Sequence, residues 1–252
     1  MTTAALRIDD AESHSQCPMS PGSAPEGVKL ASGDPRCPAV RETSRFIPYI
    51  TPLKGQLPTG HELIVPRDNG LGVMFRDETP VDRDRRGALW IRTAPPSAGR
   101  PIPLYRHVLP RRTGEAMLDM RCQGCNGDLD RTRQGTLFFV KPDETRRNLN
   151  WPDVEYTHHP PVCLPCAREA LLECSFAQKA PALRVRNPRP WGIFGICFRP
   201  GTDGSLELVR EIDRCVYDDL KLLPWMVALQ PLAKLSRCTV VDIRAELAAA
   251  GL

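Results

Sequence analysis

Cys122-Gln-Gly-Cys125 and Cys163-Leu-Pro-Cys166 are two Cys-x-x-Cys turns with 37 residues between them. Each short turn aims two sulfurs at one point, and four thiolates are the soft donor set that a tetrahedral zinc ion takes. The four cysteines Cys122, Cys125, Cys163 and Cys166 are therefore the expected ligands of a structural Zn²⁺. Redox dithiols or inert thiols are the alternatives. A thioredoxin-like Cys-x-x-Cys belongs in a strand–helix–strand setting, which the flanking sequence does not offer. Four sulfurs leave no coordination position for water or substrate, so the pattern points to a fastening rather than a catalyst. Bound zinc contributes on the order of 10 kcal/mol to folding in small finger peptides.

The residues around the turns read as a finger. Asn126-Gly127 is a turn signal. Thr136–Val140 reads as a strand, with Val154–Thr157 as its expected partner across a polar tip. Cys163–Phe176 reads as a helix entered through the second turn. Pro165 stands in its first turn, where a missing N–H costs nothing. Leu171, Leu172 and Phe176 give that helix an apolar side. Knuckle, hairpin and helix in this order resemble a treble-clef zinc finger, whose helix N-terminus favours anionic sulfur.

His158 and His159 precede Cys163 and are the residues that could replace a sulfur ligand or act as a general base. Adjacent residues on a strand end point to opposite sides, so the bland expectation is one packed and one solvated ring. With the pair, the unit also resembles HNH-type endonucleases, which use a similar two-knuckle frame. In that family a catalytic pair precedes the second knuckle by a longer stretch, and a further His or Asn on the helix completes the metal site. Here Ala167 follows Cys166, no histidine lies on the helix, and Asn148 and Asn150 precede the histidines. A nuclease centre is thus incomplete on this frame.

After the finger, Leu183 and Val185 alternate with Arg184 and Arg186, as on a half-buried strand. Trp191–Arg199 and Leu206–Ile212 are expected to form a hairpin around Gly201-Thr-Asp-Gly204. Arg184, Arg186, Arg189 and Arg199, with Trp191 and Phe194 among them, are the expected nucleic-acid contacts if there are any: arginines for phosphates, aromatics for bases. The opposite expectation puts the aromatics in the core and the arginines on a soluble outer face. Residues 220–252 are expected to be helical, with Pro224 and Pro231 limiting the first segment. Ser236–Leu252 resembles the recognition helix of GntR-type regulators, but Pro231 would interrupt the preceding helix. A terminal helix packing a Val240, Ile243 and Leu247 stripe is the simpler expectation.

On the other side, residues 46–110 have a β texture. Leu63-Ile-Val65, Leu71–Phe75 and Ala88–Ile91 are short apolar runs bounded by Pro, Gly and Asp. Between the last two runs, Asp77, Glu78, Asp82 and Asp84 are interleaved with Arg83, Arg85 and Arg86. A self-neutralising loop is expected there in preference to a Mg²⁺ or acid–base site. Residues 1–45 are polar and Pro-rich without an aromatic residue, which predicts a disordered tail in which Cys17 and Cys37 have no role.

The 252 residues carry 34 basic and 30 acidic side chains, a net charge of +4. Arginine far outnumbers lysine and there are 26 prolines, a bias that GC-rich coding produces whatever the function. The charge is short of a strongly basic nucleic-acid binder. The start of the chain lacks a basic–apolar leader, and no apolar run reaches membrane length, so a cytoplasmic protein without membrane contact is expected. P-loop, Rossmann and metalloprotease signatures are lacking.

Over about residues 46–245 the chain resembles a group of actinomycete proteins. The resemblance rests on Pro48-Tyr-Ile50, on Cys122-Gln-Gly-Cys125 with Asp130-Arg131, on His159-Pro-Pro-Val-Cys-Leu-Pro-Cys-Ala167, and on Cys238-Thr-Val-Val-Asp242. It implies a cytoplasmic zinc protein and brings no substrate with it. The expected architecture is α+β: a tail over 1–45, a small β-rich unit over 46–120, a treble-clef-like finger over 121–176, and a β-hairpin with C-terminal helices over 177–252. The expected function is non-enzymatic, a zinc-stabilised interaction or regulatory module with a protein partner. Nucleic-acid binding is the second expectation and a degenerate HNH-like nuclease the third.

Overall fold

Of the three apolar runs near the start, the first two become short strands that pair with each other across a turn, and the third finds its strand partner late in the chain. In the computed structural model, residues 46–141, 149–153, 155–202 and 205–252 are described, with the side chains of 210–213 excepted. Strand β1 (Pro58–Thr59) is followed by β2 (Ile64–Pro66) and β3 (Val73–Phe75), which pair antiparallel. Next come β4 (Leu89–Trp90) and β5 (Arg92–Thr93), the latter pairing with β1. Helix α1 (Pro110–Leu118) opens on a proline and buries Ala116, Met117 and Leu118. The expected tail over 1–45 lies outside the described residues, as do Cys17, Cys37 and Asn148.

Of the interleaved arginines, Arg83 neutralises the loop from within, Arg85 pairs outside it with Asp119, and Asp77 and Asp82 take Arg92 of β5 instead. Arg83 forks onto Glu78, while Arg92 bridges Asp82 and Asp77. Asp84 is more than a solvated loop residue. Its carboxylate accepts from the N–H groups of Arg86 and Ala88 and from the Trp90 indole at 2.9 Å.

The rest of the chain builds one large sheet. Strands β6 (Arg131–Thr132) and β7 (Gly135–Phe139) form a hairpin, followed by β8 (Glu155–Thr157), α2 (Leu164–Glu173) and α3 (Ser175–Lys179). Two long strands then carry the sheet: β9 (Ala182–Pro200) and β11 (Met226–Val241), with β10 (Leu206–Val216) between them in sequence. β9 and β11 pair antiparallel along most of their length. The far edge of β9 takes β7 at its start and β10 at its end. The far edge of β11 takes β4 in parallel and β8 in antiparallel. The chain closes with α4 (Ile243–Ala249), whose N-cap Asp242 accepts from the N–H groups of Arg244 and Ala245.

The α+β class is the expected one, but the make-up of its sheet differs in three places. Residues 220–252 are not helical throughout. Met226–Val241 is a strand, and of the expected stripe Ile243 and Leu247 pack from α4, while Val240 sits exposed on β11. This also removes the likeness of Ser236–Leu252 to a recognition helix. Long pairing with β9 satisfies every second backbone group there, and the β-branched Thr239-Val-Val241 fits a pleated surface. The second difference is that β8 does not pair with β7. β7 lies against β6 and β9, and β8 joins β11. Third, the post-finger strand and the first arm of the hairpin are one strand, β9, so β9–β10 is the expected hairpin with a longer first arm. Its turn residues 203 and 204 lie outside the described residues.

Ser44–Leu252 form one compact unit. Among the described residues, no helix is long and apolar enough to cross a membrane.

Candidate metal centre

The first knuckle is shaped by backbone bonds and a glycine. Cys122 N–H donates to Gly127 O, and Asn126 N–H donates back to Cys122 O, with Asn126 at φ 57°. A side chain at position 124 has no room: a Cβ there would lie 2.7 Å from Cys166 Cβ and 2.8 Å from its Sγ. The Pro48-Tyr-Ile50 segment covers this turn from outside, Tyr49 N–H donating to Gly124 O at 2.7 Å.

The second pair enters with α2. Cys163 is the N-cap residue, Pro165 occupies the first turn as expected, and Asp130 accepts from Leu164 N–H at the helix start. The helix N-terminal dipole therefore faces sulfur. The helix stops at Glu173 and α3 begins at Ser175, so the expected single helix to Phe176 is two short ones.

These two elements bring Cys122, Cys125, Cys163 and Cys166 together, all four Sγ atoms lying within 4.8 Å of one another. Cys125 Sγ and Cys163 Sγ are 3.8 Å apart. A tetrahedron with metal–sulfur bonds of about 2.3 Å has sulfur–sulfur edges of about 3.8 Å, so the cluster is of the right size for one ion. Cys122, Cys163 and Cys166 are buried, whereas Cys125 is exposed. The arrangement can hold a metal ion.

Without a metal, the sulfurs share protons unequally. The Cys122 thiol is pulled down to about 5, first by the Cys166 thiol that donates to it and then by N–H groups of the two turns. Gly124 N–H and Cys163 N–H both reach Cys122 Sγ at 3.3 Å. Cys163 is pushed up to about 12, chiefly by burial, and Cys166 is raised because the Cys122 sulfur holds its proton. At neutral pH, Cys163 and Cys166 therefore keep their protons. A divalent cation replaces them all at once, releasing protons as it binds.

Neither histidine joins the cluster, which among the described residues consists of the four cysteines. His158 Nδ1 donates to Pro231 O at 2.8 Å, and its ring meets Phe194 edge-on. His159 stacks on Phe176 with ring centroids 4.4 Å apart. Burial, and secondarily the neighbouring His158, pull the His159 imidazole down to about 4, so it packs as a neutral ring. Both rings are half-buried, contrary to the expected division into one packed and one solvated.

The four expected nucleic-acid arginines do not form one surface. Arg184 is fully buried: its guanidinium forks onto Glu246 and donates to the carbonyls of Asp130 and Gly135. It ties β9 to α4 and to the start of the finger hairpin. Strand alternation misplaces it because α4 folds over this end of the sheet and covers the face assigned to solvent. Arg199 is exposed but paired with Glu207 on β10. Arg186 and Arg189 are exposed.

Glu246, which holds Arg184, gave no sequence signal beyond its place in the first turn of a short terminal helix. Asp130 was visible only as part of the Asp130-Arg131 resemblance, and its two roles, capping α2 and receiving Arg184, are tertiary. No protein-family model, no curated protein and no solved structure matches the chain.

Proposed function

We propose that this chain binds one structural Zn²⁺ through Cys122, Cys125, Cys163 and Cys166 and works as a non-enzymatic binding module built around that ion. The carrying observation is the four-sulfur cluster, of tetrahedral size and mostly buried. A shell of four thiolates is closed, so the ion holds parts together and does not present an activated water. The histidines that would have opened the site are engaged elsewhere, His158 on Pro231 and His159 on Phe176. The resemblance to actinomycete zinc proteins points the same way.

The ion would tie the first knuckle, with Pro48-Tyr-Ile50 over it, to the start of α2 beside the β6–β7 hairpin. Metal analysis of the purified protein tests the site. One zinc per chain is expected, falling below half in Cys122→Ser and in Cys163→Ser, and cobalt substitution should give thiolate charge-transfer bands. Less than one zinc in the parent, unchanged by either substitution, rejects the site. Nuclease assays with Mg²⁺ or Mn²⁺ should show no activity that depends on His158 or His159. Loss of a measured activity in His158→Ala or His159→Ala would reject the non-enzymatic assignment.

A further inference from the structure

Lys234 on β11 pairs in register with Arg189 on β9 and with Tyr156 on β8. Residues directly opposite in a sheet project from the same face, so the three form a row across three strands. That row faces outward: its neighbours Glu155, Thr157, Ala233 and Leu235 are buried on the other side, while Arg189 is exposed and Tyr156 and Lys234 are partly so. Trp191 lies two residues beyond Arg189, and its ring lies 4.8 Å from Tyr156 at 57°. The exposed Arg214 places its guanidinium 5.1 Å from the Tyr156 centroid.

Two cations directly opposite each other on a sheet repel, and such pairs destabilise the strands that carry them. Among the described residues, no carboxylate pairs with Arg189, Lys234 or Arg214; Arg189 Nε bonds only the Asn187 amide oxygen. Arg83, Arg92, Arg184 and Arg199, by contrast, each have a carboxylate partner. This patch is therefore a concentration of unneutralised positive charge with aromatic rings set among it. Its complement is a flexible polyanion that also offers flat, stackable groups.

We propose that the outer face formed by Arg189, Lys234, Arg214, Tyr156 and Trp191 binds single-stranded nucleic acid. The cations take successive phosphates and Trp191 supplies the stacking ring. A duplex hides its bases within the stack, whereas a single strand presents charge and base faces together. The proposal rests on the binding-module assignment and names its partner. It replaces the expected set of Arg184, Arg186, Arg189 and Arg199, of which only Arg189 is kept.

Fluorescence anisotropy with labelled oligo(dT) and oligo(U), using the zinc-loaded full chain, tests it. The two oligomers distinguish DNA from RNA as the source of the strand. Binding of at least one is expected, with log K falling against log salt at a slope of about −2 for three phosphates. Arg189→Ala/Lys234→Ala should weaken binding at least 10-fold and flatten the slope by about 1.4. Trp191→Ala should cost roughly 5- to 100-fold at any salt. Trp191→Phe, which preserves packing, should retain most of the affinity. Arg199→Ala, which removes an arginine paired on the same sheet, should change nothing.

Zinc content and circular dichroism of each variant confirm that it is folded. Full zinc occupancy with no binding of either oligomer overturns the surface and leaves the zinc module standing. Equal binding of polyglutamate, insensitive to Trp191→Ala, would also overturn it, because charge alone would then explain the affinity. Loss of zinc from the parent protein would instead reject the module itself.

Discussion

The fully buried guanidinium of Arg184 donates to both Glu246 oxygens and to the carbonyls of Asp130 and Gly135. Removing one member of such a pair strands the other and the carbonyls around it. Arg184→Met should therefore destabilise the fold by about 3 kcal/mol, whereas Arg186→Met, at an exposed position on the same strand, should stay within about 0.5 kcal/mol. Urea melts of the two variants check this, and equal effects would refute the assigned role.

At Gly124 the space for a methyl is taken by Cys166. Gly124→Ala should weaken metal binding at least 10-fold in a chelator competition, since the knuckle cannot keep its sulfurs in place. His159 adds a pH dependence. Its folded value, about 4, lies below its ordinary 6.5, so the unfolded chain binds more protons between those values. Stability then rises with pH across that window and is lost as pH falls from about 6.5 towards 4, by at most about 3 kcal/mol. An NMR titration should find the ring neutral down to about pH 4; a midpoint near 6.5 would contradict its burial.

At the scale of elements, β9 and β11 are the spine to which β4, β7, β8 and β10 attach. Gly192 and Gly195 let neighbouring strands close on β9. A Cβ at either position would lie 2.2 Å from a carbonyl oxygen, of Cys215 and Val227 respectively. Gly192→Ala or Gly195→Ala should cost more than about 2 kcal/mol, by the overpacking that such contacts impose. A thermal melt indistinguishable from the parent would show that the strands can part without penalty. β9 was legible in the sequence in two pieces, because the Leu183/Val185 alternation and the Trp191–Arg199 pattern each announce a strand. β11 was not. Its apolar residues, interrupted by Pro224 and Pro231, fit a broken helix as well as a strand, and the choice is made by a partner some forty residues away. The β7–β8 pairing failed for the same reason: both strands were correctly placed, but local sequence does not say which neighbour each takes.

For the whole molecule, the cysteine cluster and the sheet are continuous. The buried set around the sulfurs includes Leu137 and Phe139 of β7 and Ala182 of β9, with Ile243 of α4 packed on it. A second set, with Phe138 and Leu183, lies on β7 and β9 as well. Chelation should therefore loosen the finger and lower the melting temperature of the whole. Hydrogen exchange should show protection lost first in α2 and β7, and last in β10 and the start of β11. Uniform exchange throughout after chelation would mean that no part of the sheet stands without the ion.

What the sequence determined by itself is local: two cysteine turns, an Asn-Gly turn after the first of them, a proline in a helix's first turn, and short apolar runs between turn residues. These follow from geometry over three or four residues, which the neighbours along the chain fix. Tertiary structure decided whatever depends on distant partners. It put Arg184 inside by bringing Glu246 to it, turned Met226–Val241 into a strand by laying it along β9, and took the histidines away from the sulfurs. It also set Lys234 between Arg189 and Tyr156. No sequence period records that row, because register between strands is established only when they pair.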